Sequence, residues 1–234
     1  MIKMRKTFKS KLEERLAFSP DSPVFLFREN GSAEVRTINM KEFYHDVAVL
    51  GGKMINCGYK RRNIAIYGEN SYAWILSYFA ITASGNTAVL LDYHLPENEL
   101  SELITFTECV CVLYTATYGD IASALAEKTG IPFFEAETFF KGIGLKSAQA
   151  DIKAFESITV AECDVAEIAF TSGTSGKFKG VMLSNASVVS DVESTVRALN
   201  LKSMGLQILP LYHTFGLLNL LEHFFSDGCC FIED

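Results

Sequence analysis

No run of about 20 apolar residues occurs anywhere in these 234 residues, which excludes a membrane-spanning helix from the reading. The basic start never leads into an uninterrupted apolar core of about 7–15 residues, so it does not read as a secretory leader. Positive charge is in short supply as well. The net charge is −7, and no basic stripe with interleaved aromatics exists, which argues against nucleic acid as a partner. The six cysteines, at 57, 109, 111, 163, 229 and 230, form no C-x-x-C pair and have no histidines at metal-ligand spacing. Cys109 and Cys111 sit two apart in a β-like run. They are expected to face one side as buried free thiols, in a reducing cytoplasm. Internal repeats and low-complexity tracts are absent too.

What the chain has in quantity is apolar surface. Hydrophobic residues make up 49%, mean hydropathy is +0.18 and phenylalanine occurs 18 times. A load this high predicts exposed apolar faces, and with them a homo-oligomer or a partner polypeptide that covers them. Five cations cluster early, at Lys3, Arg5, Lys6, Lys9 and Lys11. A membrane-surface anchor is one reading of that cluster. The spacing of Met4, Phe8, Leu12 and Leu16 favours another, an amphipathic helix docked on the domain.

Downstream, turn and cap signals divide the chain. Val24–Phe27 and Glu34–Thr37 flank Asn30-Gly31 and read as paired strands. Asn39 with Glu42 three residues on opens a helix whose Phe43, Val47, Leu50 and Met54 share a face, ending near Gly58. Strands follow at Ile64–Tyr67, Thr87–Leu91, Cys109–Tyr114 and Ile131–Phe134, with helices at Tyr72–Thr82, Glu97–Thr105 and Ile121–Lys128 between them. The stretch 139–161 is the least regular and reads as a linker between a first α/β subregion, 1–138, and a second, 162–234. That second subregion reads as a strand, a return strand Gly180–Leu183, a helix Ala186–Leu199, a strand Gly205–Leu209, a helix Phe215–Phe225 and a strand Cys229–Ile232. Strands alternating with helices predict an α/β fold, a mainly parallel sheet with helices on both faces.

The densest chemistry lies in Ile168–Leu183. Gly173, Gly176 and Gly180 let backbone N–H groups converge on an anion. Thr171, Ser172, Thr174 and Ser175 add hydroxyls, and Lys177 and Lys179 add positive charge. This is the composition of a polyphosphate-holding loop. A Walker loop needs a second glycine after four intervening residues, and that place holds Phe178 counted from Gly173 and Val181 counted from Gly176. No G-x-G-x-x-G exists anywhere in the chain.

The segment resembles the signature loop of the adenylate-forming superfamily: acyl-CoA synthetases, peptide-synthetase adenylation domains and luciferases. Phe170, Thr171, Ser172, Gly173, Thr174, Ser175, Gly176, Lys179, Gly180 and Val181 match its pattern. The usual proline is Phe178 here, an aromatic expected to stand exposed in the loop, and the usual histidine is Asn185. Leu209–Leu217 resembles the family's P-[LM]-x-H-x-x-G segment, and Ile64–Trp74 resembles the G-E-N-x-x-x-W segment of its acyl-CoA ligases, read as scaffold. The resemblance implies that Thr171, Ser172, Gly173, Thr174, Ser175, Gly176 and Lys179 hold nucleotide phosphates, that Thr171 or Thr174 ligates Mg²⁺, and that His213 orients the substrate carboxylate.

It further implies the ATP-dependent adenylation of a carboxylic acid, on this subfamily a fatty acid, followed by transfer to coenzyme A. The family's later segments, for adenine, ribose and a catalytic lysine, find no match before Asp234. The chain therefore reads as the N-terminal part of such an enzyme, expected to lack turnover alone. Three readings stay open: a truncated or split synthetase that needs a C-terminal half as partner, a non-catalytic nucleotide- or pyrophosphate-binding module, and an inert self-associating fragment.

Overall fold

The computed structural model describes residues 6–28, 33–141, 145–172, 178–201 and 204–233, with backbone alone at 140, 141, 145–147 and 172. Two mostly parallel sheets organise it. The six-stranded sheet has the order β6 (Phe133–Glu135), β5 (Cys111–Tyr114), β3 (Asn63–Tyr67), β4 (Thr87–Leu91), β7 (Val165–Ser172) and β8 (Phe178–Ser184). The four-stranded sheet has the order β2 (Val35–Asn39), β1 (Pro23–Arg28), β10 (Cys229–Ile232) and β9 (Met204–Gln207). Only β1 with β2 and β7 with β8 pair antiparallel.

Period-2 alternation builds both faces of the larger sheet. Ile64, Ile66, Ala88, Leu90 and Leu113 face one core, while Ala65, Tyr67, Val89, Leu91 and Val112 face the other. Helices α4 (Glu97–Phe106) and α5 (Gly119–Thr129) cover the second face through Leu100, Leu103, Ile104 and Leu125. The first face holds the aromatic load, where Phe43 meets Phe25 at 4.9 Å and Phe79 at 5.1 Å between ring centroids, and Phe79 meets Phe224 at 4.7 Å. Those contacts join α2 (Met40–Asn56), α3 (Tyr72–Ala83) and α9 (Thr214–Phe225) to the smaller sheet.

Helix α1 (Phe8–Phe18) buries Phe8 and Leu12, as the four-residue spacing predicts. Met4 and the turn Asn30-Gly31 lie outside the described residues. Three of the early cations are engaged within the fold: Lys6 Nζ donates to Ser190 Oγ at 2.9 Å, Lys11 Nζ reaches Glu193 at 2.6 Å, and Lys9 Nζ donates to the carbonyls of Phe155, Glu156 and Ile158. Asn39 caps α2 by accepting from Glu42 N–H at 2.9 Å, and Phe43, Val47, Leu50 and Met54 are buried as the pattern requires.

Three expectations need correction. The stretch 139–161, read as irregular, holds the end of α6 (Ala136–Lys141) and the whole of α7 (Leu145–Ser157), which packs along α2. Contact there is backbone to backbone: a Cβ on Gly52 would collide with the Asp151 carbonyl, and one on Gly51 would come within 2.8 Å of the Phe155 ring. Cys109 and Cys111 are buried free thiols but join different cores, because Cys109 precedes β5, its N–H donating to the Ile104 carbonyl at the end of α4, while Cys111 begins the strand. Phe178 is half-buried, its ring edge-on to Phe170 at 6.4 Å, because it starts β8 opposite Ser172.

Sheet edges carry the exposed apolar side chains foreseen from composition. On β9 and just beyond it these are Met204, Leu206 and Ile208, at 58–63% exposure, and on β8 Met182 is 68% exposed.

Candidate active site

Because β7 runs parallel to β4, Thr171 and Ser172 lie at the same edge of the sheet as the turns that follow β3, β4 and β5. In open α/β sheets ligands bind beyond these carboxyl ends, where the strand order reverses, and here it reverses about β3. Thr171 is exposed and pairs in register with exposed Lys179 on β8. A hydroxyl and an ammonium thus stand at the base of the hairpin that carries the signature loop. Gly173, Thr174, Ser175, Gly176 and Lys177 lie outside the described residues. Asn185 is 1% exposed, accepting from Phe8 N–H at 3.1 Å and donating to the Asp164 carbonyl, so it ties α1 to the β7–β8 pair.

His213 is the N-cap of α9. Its Nδ1 accepts from Phe215 N–H at 3.3 Å, and its carbonyl accepts from Leu217 N–H at 3.0 Å. A neutral imidazole whose Nδ1 accepts carries its proton on Nε2, so the exposed face of the ring is a donor, set beside the positive end of a helix dipole. Such a group suits a carboxylate. Gly216 makes this cap possible, because a Cβ there would collide with the Pro210 carbonyl oxygen.

What holds the cap at the sheet edge is Asn70, which the sequence reading treated as scaffold. Its Nδ2 donates to the Leu209 carbonyl at 3.0 Å and its Oδ1 accepts from Leu211 N–H at 2.9 Å. Gly68, at φ +146° against Thr115, turns β3 into this segment, and Glu69 accepts from the Thr115 and Thr117 hydroxyls. The G-E-N turn and the histidine segment are therefore one structural unit.

An aromatic cluster lies alongside. Tyr93 meets Tyr212 edge-on at 5.4 Å and Tyr118 at 5.6 Å, and Tyr118 meets Tyr67 at 5.0 Å. Burial, then the nearby carboxylate of Asp92, pushes the Tyr212 phenol up to about 12. Burial also pushes Tyr67 up to about 12, and its hydroxyl has no hydrogen-bond partner among the described residues. No spacing rule singled out these tyrosines. What they share is position at or beyond strand ends.

No group of three or more His, Cys, Asp or Glu that would hold a metal ion occurs among the described residues. The donor set fits an ion carried chiefly by phosphate oxygens, with a hydroxyl such as that of Thr171 as a protein ligand, in the way Mg²⁺ is commonly held.

Known proteins with this architecture are plentiful. Long chain acyl-CoA synthetase 4 of Arabidopsis thaliana is 28% identical over 207 residues, covering 75% of this chain and 30% of that protein. ATP-bound MatB from Rhodopseudomonas palustris superposes with a TM-score of 0.78 at 23% identity, covering 97% of this chain and 45% of that one. The O-succinylbenzoate coenzyme A synthetase of Bacillus subtilis, in complex with ATP and magnesium ion, gives 0.78 at 16% identity, covering 95% and 56%. The chain thus spans about a third to a half of the length of these relatives. The sequence profile of the AMP-binding enzymes matches residues 12–234, and the chain belongs to that family.

Proposed function

We propose that this chain supplies the phosphate-holding and carboxylate-orienting part of an AMP-forming acid–thiol ligase, acting on a carboxylic acid and ATP with coenzyme A as the final acceptor. One observation carries the reading. His213, whose Nε2–H has no partner among the described residues, is fixed through Asn70 at the same sheet edge as the Thr171–Lys179 pair.

A carboxylate is a poor electrophile, so activation begins with its oxygen attacking the α-phosphate of ATP while pyrophosphate leaves. The His213 Nε2–H directs one carboxylate oxygen and leaves the other free to attack. Lys179 and the hydroxyl of Thr171, with Ser172, Gly173, Thr174, Ser175 and Gly176 of the loop, neutralise charge that builds on the departing phosphates. Mg²⁺, held by phosphate oxygens and the hydroxyl of Thr171 or Thr174, supplies Lewis-acid neutralisation when bound. Adenine and ribose contacts and the catalytic lysine belong to family segments that this chain does not match. The six free thiols suit a cytoplasmic setting.

The test is ATP–pyrophosphate exchange on adding a polypeptide that carries the downstream family segments. Exchange with the parent chain and its loss in His213→Ala are expected. Exchange indifferent to His213 contradicts the assigned role.

A further inference from the structure

Between α8 (Asn185–Leu199), α9 and β8 lies a cavity of about 690 Å³ with Glu167 in its lining. Glu167 sits inside β7, in register with Ala88 of β4 and Leu183 of β8, and is 2% exposed. Its carboxylate accepts a hydrogen bond from the hydroxyl of Tyr78, which is itself fully buried. Among the described residues it has no other hydrogen-bond partner and no ion pair. A carboxylate buried this deeply with one neutral partner is a costly arrangement that invites a cation.

The rest of the lining sharpens the preference. Asp191 adds a second carboxylate and Ser184, Ser187 and Ser194 add hydroxyls, and among the described residues the lining contains no Lys, Arg or His. Lys6 reaches the rim through Ser190 Oγ at 2.9 Å, but it also lies 3.8 Å from Glu193. Thr214, the residue after His213, is part of the lining, as are Leu217, Leu218 and Leu221 of α9. From Thr214 to Leu221 the helix rises about 10 Å. A substrate carboxylate at His213 would have a chain of about that length to lay along this face of α9, in the cavity that Glu167 also lines.

We propose that this cavity receives the body of the acid substrate and selects an acid carrying an ammonium group at its far end, with Glu167 as the specificity-determining residue. The inference rests on the adenylation reading above. A purely alkyl chain would leave Glu167 buried under apolar atoms with the neutral Tyr78 hydroxyl as its one partner among the described residues, whereas an ammonium group supplies the missing charge. Burial pushes the Glu167 carboxyl up to about 7, so an arriving ammonium displaces its proton. Binding at slightly acid pH should release a proton.

The experiment is calorimetric titration of the full chain and Glu167→Gln with 6-aminohexanoate, 6-hydroxyhexanoate and hexanoate, in buffers of different ionisation enthalpy. The parent chain should bind 6-aminohexanoate at least about tenfold more tightly than hexanoate, with proton release, and Glu167→Gln should remove that preference. Should Glu167→Gln fail to fold, Leu218→Trp fills the cavity from α9 and should weaken 6-aminohexanoate by about tenfold or more. Hexanoate bound as tightly as 6-aminohexanoate, no binding at millimolar ligand, or an unaffected Leu218→Trp overturns the proposal. Mg-pyrophosphate binding, measured separately, keeps the two ideas apart. Its absence alongside an intact ammonium preference counts against the adenylation reading and leaves the cavity assignment standing.

Discussion

Asn70 accepts a hydrogen bond from the backbone N–H of Leu211, 141 positions along the chain, at 2.9 Å. Through it the turn after β3 carries the segment that ends in His213. Asn70→Ala orphans that buried N–H and should destabilise the fold by about 1–3 kcal/mol. The midpoint of thermal unfolding then falls by roughly 2–4 °C per kcal/mol at this size. A distinguishing readout is proton exchange at the amides of Leu211 and Leu217, which should rise more than that of β3.

Gly216→Ala is a case where two effects oppose. Alanine in a helix gains about 1 kcal/mol over glycine. The added Cβ, however, meets the Pro210 carbonyl, a backbone atom that cannot swing aside. Overpacking of this kind costs about 1–3 kcal/mol, occasionally more, so the substitution should destabilise. Denaturant midpoints decide it, and a stabilised variant would contradict the described packing.

Glu167 predicts a pH dependence. Its folded-state pKa, raised by burial to about 7, exceeds the unfolded value, so the protonated form is favoured by folding. The stabilising contribution is complete below the unfolded pKa of about 4.3 and disappears as pH rises through about 7. Between about pH 5 and 8 the parent chain should lose on the order of 1–3 kcal/mol relative to Glu167→Gln. Parallel stability curves for the two proteins would contradict it.

Gly52→Ala should release α7, because its Cβ cannot coexist with the Asp151 carbonyl. Limited proteolysis would then cut within 145–157 before the strands of the larger sheet. Uniform protection would show that α7 is not held by this approach.

Much of this was legible in the sequence, and the exceptions share a cause. Strands β3 and β4 and helix α2 were readable because their signals are local: alternation, an Asn cap, a four-residue stripe. Helix α7 carried a local signal in Ile152 and Phe155, but its docking by glycine-mediated backbone approach and by Lys9 on its last carbonyls left none. Likewise the G-E-N turn was visible as a motif, but its grip on Leu209 and Leu211 spans about 140 residues and leaves no local trace. Glu167 did leave a signal, a lone charge inside an apolar strand. The phosphate roles of Gly173 to Gly176 remain as the motif implies them, since those residues lie outside the described structure.

The central claim is that the Thr171–Lys179 hairpin holds phosphate, and thermal unfolding with and without Mg-pyrophosphate and Mg-ATP tests it most directly. Ligand at about a hundred times its dissociation constant should add about 2.7 kcal/mol, a rise of roughly 5–11 °C in midpoint. The account predicts that this rise occurs in the parent chain and in Lys177→Ala and is lost in Lys179→Ala. A rise unchanged in Lys179→Ala, or none at millimolar ligand, would contradict it.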